Sequence, residues 1–171
     1  MKLKTILLVA FALVTLSATS SLAQGRFSVG PELALPMGDF GDVSGVGFGA
    51  SVRYEGAINE NLNWMGTVGF LTFSEKDDFG VKISQIPIQA GIKYYFTESY
   101  SGFYAGAELG FHIVKAKVDV FGESMSTSET EFGFAPQVGY HLANIDIALR
   151  YQIVSDADYV GVRLAYVFGG E

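Results

Sequence analysis

The chain of 171 residues contains no cysteine. Disulfides are therefore excluded, and so is a lipid anchor on a processed N-terminal cysteine. Positive charge is also scarce, because 11 Lys and Arg face 18 Asp and Glu, for a formal net charge of −7. This balance argues against nucleic acid as a partner, which requires a basic footprint. Beyond the N-terminus no stretch approaches about 18 consecutive apolar residues, so the sequence predicts no transmembrane helix.

The N-terminus has the pattern of a secretory signal peptide. Lys2 and Lys4 precede an apolar run over residues 6–16, and small residues follow up to Ala23. Because the run is too short and wrongly flanked for a membrane span, we predict a signal peptide at residues 1–23, cleaved after Ala23. Removing 23 of the 171 residues leaves 148, enough for one domain at residues 24–171. The signal takes two lysines and no acid, so that domain carries a formal net charge of −9.

Beyond the signal, apolar and polar residues alternate with a period of two in long stretches. We predict eight strands, at residues 26–35, 46–57, 61–73, 82–96, 103–117, 131–142, 145–155 and 159–168. Each is long enough to cross a membrane, which takes about 9–11 residues, whereas soluble strands average about 5–6. In an exported chain this pattern is typical of the bacterial outer membrane. The predicted fold is all-β, an eight-stranded antiparallel up-and-down transmembrane β-barrel.

The two faces of each predicted strand differ in polarity. On the fifth strand, Leu109 and Phe111 share one face, and Glu108 and His112 share the other. We expect the apolar faces to contact lipid, because Lys or Arg there costs about 2–4 kcal/mol at the bilayer midplane. Aromatic residues near both strand ends predict two interface belts. The periplasmic belt would contain Phe27, Tyr54, Trp64, Tyr94, Phe96, Phe103, Tyr140, Tyr166 and Phe168, and the outer belt Phe70, Phe132, Phe134, Tyr151 and Tyr159.

The connections between strands alternate in length. The short ones would be periplasmic turns at residues 58–60, 97–102 and 143–144. The others would face outward as loops at residues 36–45, 74–81, 118–130 and 156–158. No helical period is present beyond the signal. Pro31, Pro87 and Pro136 fall inside strands, where each removes a ladder hydrogen bond, and we predict β-bulges there.

Several short motifs, taken together, resemble one known family. They are Pro36-Met37-Gly38-Asp39-Phe40, Gly45-Val46-Gly47-Phe48-Gly49, Tyr54-Glu55 and, near the C-terminus, Tyr166-Val167-Phe168. This set resembles the small OmpA-like outer membrane protein β-barrel domain family of Gram-negative bacteria. The resemblance implies an eight-stranded barrel located in the outer membrane. It also implies that Tyr166 and Phe168 form the terminal signal read by the barrel-assembly machinery.

Charges of both signs fall on the inward phase of the predicted strands. They are Glu32, Arg53, Glu55, Lys93, Glu108, Asp146, Arg150 and Arg163, joined by the polar Gln85, Gln89, His112, Gln137 and His141. Because eight strands leave an interior just wide enough for side chains to fill, we expect an ion-paired plug in preference to a gated path for small solutes. Glu32 is expected to approach Arg53 or Arg163.

No pattern of residues points to an enzyme or to a bound cofactor. Gly45-Val46-Gly47-Phe48-Gly49-Ala50 formally fits a dinucleotide fingerprint, but it begins a strand where the fingerprint must open a helix. The only histidines, His112 and His141, are on the inward phase, and no serine lies two residues from either. We therefore predict a protein that is not an enzyme and has no cofactor and no dedicated metal site.

The predicted role is structural or surface-interacting, with outer-membrane lipid and the assembly machinery as partners. Divalent cations are further candidate partners, at acidic outer loops. The carboxylates in question are Asp39, Asp42, Glu75, Asp77, Asp78, Asp119, Glu123, Glu129, Asp156 and Asp158. Two alternatives stay open: a narrow porin-like pore for small solutes, and a soluble lipocalin-like binding barrel with the apolar faces turned inward.

Overall fold

Eight antiparallel strands close into one barrel in the computed structural model, which describes residues 25–75, 81–97, 100–120 and 123–169. The elements are β1 (Arg26–Pro36), α1 (Gly38–Val43), β2 (Ser44–Ala57), β3 (Leu62–Glu75), β4 (Val81–Tyr95), β5 (Gly102–Val120), β6 (Glu123–Leu142), β7 (Ile145–Val154) and β8 (Tyr159–Phe168). Each strand pairs with its neighbours in sequence, and β8 pairs back onto β1. The predicted eight-stranded up-and-down barrel is confirmed. The predicted signal peptide lies outside the described residues.

The outside of the barrel is apolar and the inside is charged. On β5, Phe103 is 67% exposed and Leu109 is 53% exposed, whereas Glu108 and His112 are fully buried. This arrangement confirms the predicted faces and is the reverse of a soluble lipocalin-like barrel. No helix among the described residues is long and apolar enough to span a membrane. We call the end that carries α1 the outer end. The opposite end, where β1 begins and β8 ends, is the inner end.

Aromatic side chains cluster on the lipid-facing surface of the barrel near its inner end. Tyr54 contacts both Phe27 and Trp64, with ring centroids 4.7 and 5.2 Å apart, and Phe103 contacts Tyr140 at 4.7 Å. The placement of Tyr159 in the outer belt is wrong, because its side chain is fully buried inside the barrel. It lies an even number of residues from the inward-facing Arg163, so the pleat directs both side chains to the same face.

The three strand prolines produce no bulges, which corrects the prediction. Pro31 pairs with Ala50 and Pro136 with Ala107, and the pairing register is the same on either side of each proline. Pro87 behaves in the same way opposite His112. Each proline interrupts the ladder toward one neighbouring strand only. Losing one N–H donor requires no extra residue, so the strand keeps its phase. The register shift recorded in the β2–β3 ladder lies between Ser44 and Gly47.

Two of the predicted outer loops contain regular structure. Residues 38–43 of the first form helix α1, although the sequence shows no helical period there. The Ser44 backbone N–H closes it by donating to the Phe40 carbonyl oxygen. Most of the predicted loop at 118–130 is strand, because β5 and β6 continue to Val120 and from Glu123. Asp77 and Asp78 of the loop at 74–81 lie outside the described residues.

Candidate functional site: the closed lumen

All eight charged residues predicted to face inward are buried in the lumen. They come from β1 (Glu32), β2 (Arg53, Glu55), β4 (Lys93), β5 (Glu108), β7 (Asp146, Arg150) and β8 (Arg163). In an eight-stranded barrel the opposite walls are close enough for long side chains to meet across the axis. The barrel therefore assembles into one site residues that are up to 131 positions apart in the chain, the span from Glu32 to Arg163.

The centre of the lumen is an ion pair between β2 and β5. Arg53 Nη2 lies 2.9 Å from Glu108 Oε2, and neither side chain is exposed. Glu108 also accepts hydrogen bonds from Thr67 Oγ1 at 2.5 Å and from Gln137 Nε2 at 3.2 Å. Arg53 donates through Nε to Thr67 Oγ1 at 3.0 Å. Each charge is thus compensated by an opposite charge and by neutral partners, as a buried pair requires.

A second cluster lies toward the inner end. Lys93 Nζ is 2.7 Å from Glu55 Oε1 and 2.8 Å from Asp146 Oδ2. The Tyr104 hydroxyl donates to Asp146 Oδ1 at 3.1 Å, and the ammonium group of Lys93 lies 3.8 Å from the centroid of the Tyr104 ring. Arg26 Nη2 lies 3.3 Å from Glu55 Oε2. Sequence reasoning missed Arg26, although its even spacing from the inward-facing Glu32 marks the same face.

A third cluster lies around Glu32. Its Oε2 is 2.5 Å from Arg150 Nη2, and its Oε1 accepts from the Ser51 hydroxyl at 2.6 Å. Arg163 Nε is 3.6 Å from Oε1, in agreement with the strand register that sets Arg163 beside Glu32. Of the two partners expected for Glu32, Arg163 is the one that lies near it, since Arg53 reaches across to β5. The strongest partner, Arg150, belongs to β7, which is not adjacent to β1.

The three clusters are joined into a single network. Arg163 Nη1 lies 3.6 Å from Asp146 Oδ1, which links the third cluster to the inner one. Arg150 Nη1 lies 3.9 Å from Glu108 Oε2, which links it to the central pair. The lumen is therefore crossed by a continuous set of ion pairs.

An uncharged polar layer and an apolar cap lie on the outer side of these charges. Gln85, Gln89, His112 and Gln152 are buried there, and Gln89 Nε2 donates to Gln152 Oε1 at 3.2 Å. Above them, a buried cluster covers the outer mouth. It comprises Ala34, Phe40, Leu71, Phe73, Val154, Ala157 and Tyr159.

The outer cap depends on α1. Phe40, from that helix, is buried with its ring centroid 4.9 Å from that of Phe73, and Phe73 lies 6.0 Å from Tyr159. Gly38 precedes Phe40 with φ +56°, a conformation that side-chain-bearing residues rarely adopt. In the sequence, the signal for this cap is Phe40 itself, a large apolar residue within a segment predicted to be a loop.

Tyrosines cover the inner mouth. Tyr95 lies 5.4 Å from Tyr104 and 5.8 Å from Tyr100, measured between ring centroids. The Arg26 guanidinium lies 5.1 Å from the centroid of Tyr100, and His141 Nδ1 is 2.5 Å from the Tyr100 carbonyl oxygen. The lumen is therefore filled between two aromatic ends.

The two residues of the predicted assembly signal lie on the lipid-facing side of β8. Tyr166 and Phe168 are both about half exposed, and their rings are 4.7 Å apart. Phe168 pairs with Phe27 of β1 at the closing seam of the barrel.

Comparison with known proteins agrees with this architecture. The sequence profile of the outer membrane protein β-barrel domain matches residues 6–168. No curated protein matches the sequence. The structure is similar to that of Ail, the attachment invasion locus protein of Yersinia pestis, with a TM-score of 0.64 and 18% identity over 84% of this chain and 97% of that chain.

Two Pseudomonas aeruginosa barrels are also similar in structure. The N-terminal β-barrel domain of OprF has a TM-score of 0.59 and 11% identity, covering 85% of this chain and 98% of that chain. OprG has a TM-score of 0.51 and 11% identity, covering 85% and 97%. At such identities the likeness concerns the fold, whereas the profile covers nearly the whole chain. These findings confirm the predicted family and location and do not favour the lipocalin-like alternative. The chain therefore belongs to the outer membrane protein β-barrel domain family and is an integral protein of the outer membrane, with its apolar wall in contact with membrane lipid.

Proposed function

We propose that this protein is a closed, non-enzymatic barrel that acts through its structure and its outer surface and does not conduct solutes. The observation that carries the proposal is the ion-pair network that crosses the lumen, with aromatic caps at both mouths. A buried charge left without its partner costs about 3–5 kcal/mol, and opening a solute path would leave several charges without theirs. The network therefore acts as a plug.

Conductance measurements test the plug. The pure, folded chain in a planar lipid bilayer should give no steady single-channel current. Glu108→Gln keeps the side-chain volume and should also give no current. It is the matched control for the double variant Glu108→Ala, Arg53→Ala, in which both side chains are smaller. Stable ohmic channels from the unaltered protein would refute the plug and support the narrow pore.

The positions of the histidines support the non-enzymatic part of the proposal. Both ring nitrogens of His112 are buried without a hydrogen-bond partner among the described residues, and His141 contacts a backbone carbonyl. No described hydroxyl is hydrogen-bonded to either ring, so the described residues hold no activated nucleophile of the kind hydrolysis requires. The folded protein should release no fatty acid from phospholipid vesicles. Release that disappears in His112→Gln or His141→Gln would overturn this proposal.

Export and assembly are part of the same proposal. Residues 1–23 would direct secretion and be removed, which the mass of the protein isolated from outer membranes can test. Phe168 would be read by the assembly machinery. Phe168→Ala should slow machinery-assisted folding into vesicles while leaving unassisted folding in detergent unchanged. Phe103→Ala, a somewhat more exposed aromatic at the same end of the barrel, is the control and should leave both rates unchanged.

The outer rim suits a basic partner. Asp39 and Asp42 of α1 lie on the same rim as Asp156 and Asp158 of the β7–β8 turn. Ail was solved in complex with the heparin analogue sucrose octasulfate, a polyanion that an acidic rim repels. Divalent cations would gather here only as a diffuse layer, because the described residues contain no group of three or more His, Asp or Glu placed to hold a metal. Equilibrium dialysis with Ca²⁺ should show weak, salt-sensitive binding, and a saturable tight site would contradict this reading.

A further inference from the structure

The basic residues that the structure describes outside the lumen are concentrated on one side of the barrel. Nine Lys and Arg follow residue 24, and five of them are in the lumen: Arg26, Arg53, Lys93, Arg150 and Arg163. The other four are Lys76, which lies outside the described residues, and Lys82, Lys115 and Lys117. The last three are exposed on the neighbouring strands β4 and β5. In an acidic chain this leaves one described cationic patch on the outer wall.

The strand register places these lysines side by side. Lys82 is directly opposite Lys117, and Ser84 is directly opposite Lys115. Side chains directly opposite on one face have Cβ atoms about 4.5–5.5 Å apart, and like charges there destabilise the sheet. Among the described side chains Lys82 lies 4.0 Å from Glu75, and the Lys82 side chain remains 69% exposed. A bound anion would remove this repulsion.

The two carboxylates of β6 whose side chains the structure describes do not neutralise the patch. Glu129 and Glu131 on β6 share the phase of the inward-facing Gln137, so they lie on the opposite face of the sheet. On the face of the lysines, β6 presents the exposed hydroxyl residues Ser128 and Thr130. Ser128 is directly opposite Lys115. Ammonium and hydroxyl donors thus share one exterior surface.

The height of this patch on the barrel matches the headgroup layer. On the outward phase of β5, apolar residues run from Phe103 to Ile113. Ten residues at about 3.3 Å each, tilted by about 35–45°, give a band about 25 Å tall, which is the height of the apolar band of outer-membrane barrels. Lys115 is the next outward residue beyond the band and Lys117 the one after. They therefore lie about 5–10 Å beyond the hydrocarbon boundary at the same rise and tilt, within the polar layer.

We propose that Lys82, Lys115 and Lys117 bind the phosphate of a phosphorylated lipid of the outer leaflet, with Ser84 and Ser128 as neighbouring hydrogen-bond donors. Lysine ammonium groups bind phosphate oxygens as point charges through charge-assisted hydrogen bonds. The apolar band beneath packs against the acyl chains of the same lipid. The site holds one lipid against β4 and β5 and orients the barrel relative to the membrane surface.

Native mass spectrometry of the full folded chain in detergent tests the proposal, with bisphosphorylated lipid A as the probe and its fully dephosphorylated form as the comparison. The bisphosphorylated lipid should bind more tightly. The triple variant Lys82→Gln, Lys115→Gln, Lys117→Gln should weaken that binding roughly 100-fold. Arg at the same three positions should retain it. All three side chains are exposed, so the variants should keep the heat-modifiable gel shift of a folded barrel.

A five-residue variant controls for net charge. It adds Glu129→Gln and Glu131→Gln to the triple variant, which offsets two of the three positive charges that were lost but does not restore the lysine patch. Binding should stay weak. Recovery in this variant, or equal binding by the triple variant and the unaltered chain, would overturn the site. Competition by millimolar inorganic phosphate that equals competition by lipid A would also overturn it, since the site would then take free phosphate and not the lipid.

Discussion

Removal of the carboxylate of Glu108 should destabilise the barrel strongly. Arg53 would lose the partner that lies 2.9 Å away, in a place with no exposure to solvent. An uncompensated buried charge costs about 3–5 kcal/mol. Thr67 and Gln137, which also donate to Glu108, would each lose a hydrogen bond worth about 1 kcal/mol. Glu108→Ala should therefore lower the free energy of unfolding by about 5 kcal/mol, a large part of the usual total of about 5–15 kcal/mol.

Removal of both charges of the pair should lower the free energy of unfolding much less than removal of one charge alone. In Arg53→Met combined with Glu108→Leu, the volume is largely kept and no charge is left alone. Replacing a buried pair by apolar groups of similar volume is often neutral. We expect the double variant to lie within about 2 kcal/mol of the unaltered protein. The double-mutant cycle compares it with Arg53→Met alone and Glu108→Leu alone, and it should give an interaction free energy of at least about 3 kcal/mol. Glu108→Gln, which keeps an acceptor for Thr67, should fall between.

Equilibrium unfolding in urea, in detergent micelles or lipid vesicles, measures these differences. The chain has one tryptophan, Trp64, whose position on the outer wall makes its fluorescence report loss of the apolar environment. Gel migration with and without heating gives an independent measure of folding. Additivity of the two single changes within about 0.5 kcal/mol would refute the reasoning. The charges would then be separately hydrated, and a conducting lumen would become the better description.

Three further predictions follow from the outer wall, the strand contacts and the outer cap. Leu109→Arg and Leu149→Arg should each prevent insertion, because a lipid-facing Arg costs about 2–4 kcal/mol at the midplane, and a normal gel shift of both variants would refute the assigned faces. Gly110→Ala should lower stability in urea unfolding, because a Cβ there would meet the backbone carbonyl oxygen of Ile88 on β4; unchanged stability would contradict that close approach. Phe40→Ala should lower the free energy of unfolding by about 3 kcal/mol without producing channels in planar bilayers, because the ion pairs lie beneath it; a steady current would show that the cap alone closes the lumen.

The sequence predicted much of the site because a strand's side chains alternate strictly between two faces. Glu108 between two apolar neighbours, and Arg150 between Leu149 and Tyr151, could be assigned to the lumen before any partner was known. The same rule places Arg26 and Tyr159 inside, because each lies an even number of residues from an inward-facing charge on its own strand, although both are at strand ends. The length of the strands and the export pattern were enough to predict the membrane and the barrel.

The partner of each charge, in contrast, is decided by closure of the barrel. The register sets Arg163 beside Glu32, yet Arg150 of the non-adjacent β7 comes closer, and Arg53 reaches Glu108 across the axis. Such contacts depend on barrel diameter, strand tilt and side-chain conformation, none of which the alternation of a single strand encodes. The position of Phe40 over the outer mouth is decided in the same way. Its segment is short and has no hydrophobic periodicity, so its location depends on the residues against which it packs in the closed barrel. Local pattern specifies the face of each side chain, and the closed barrel specifies its partner.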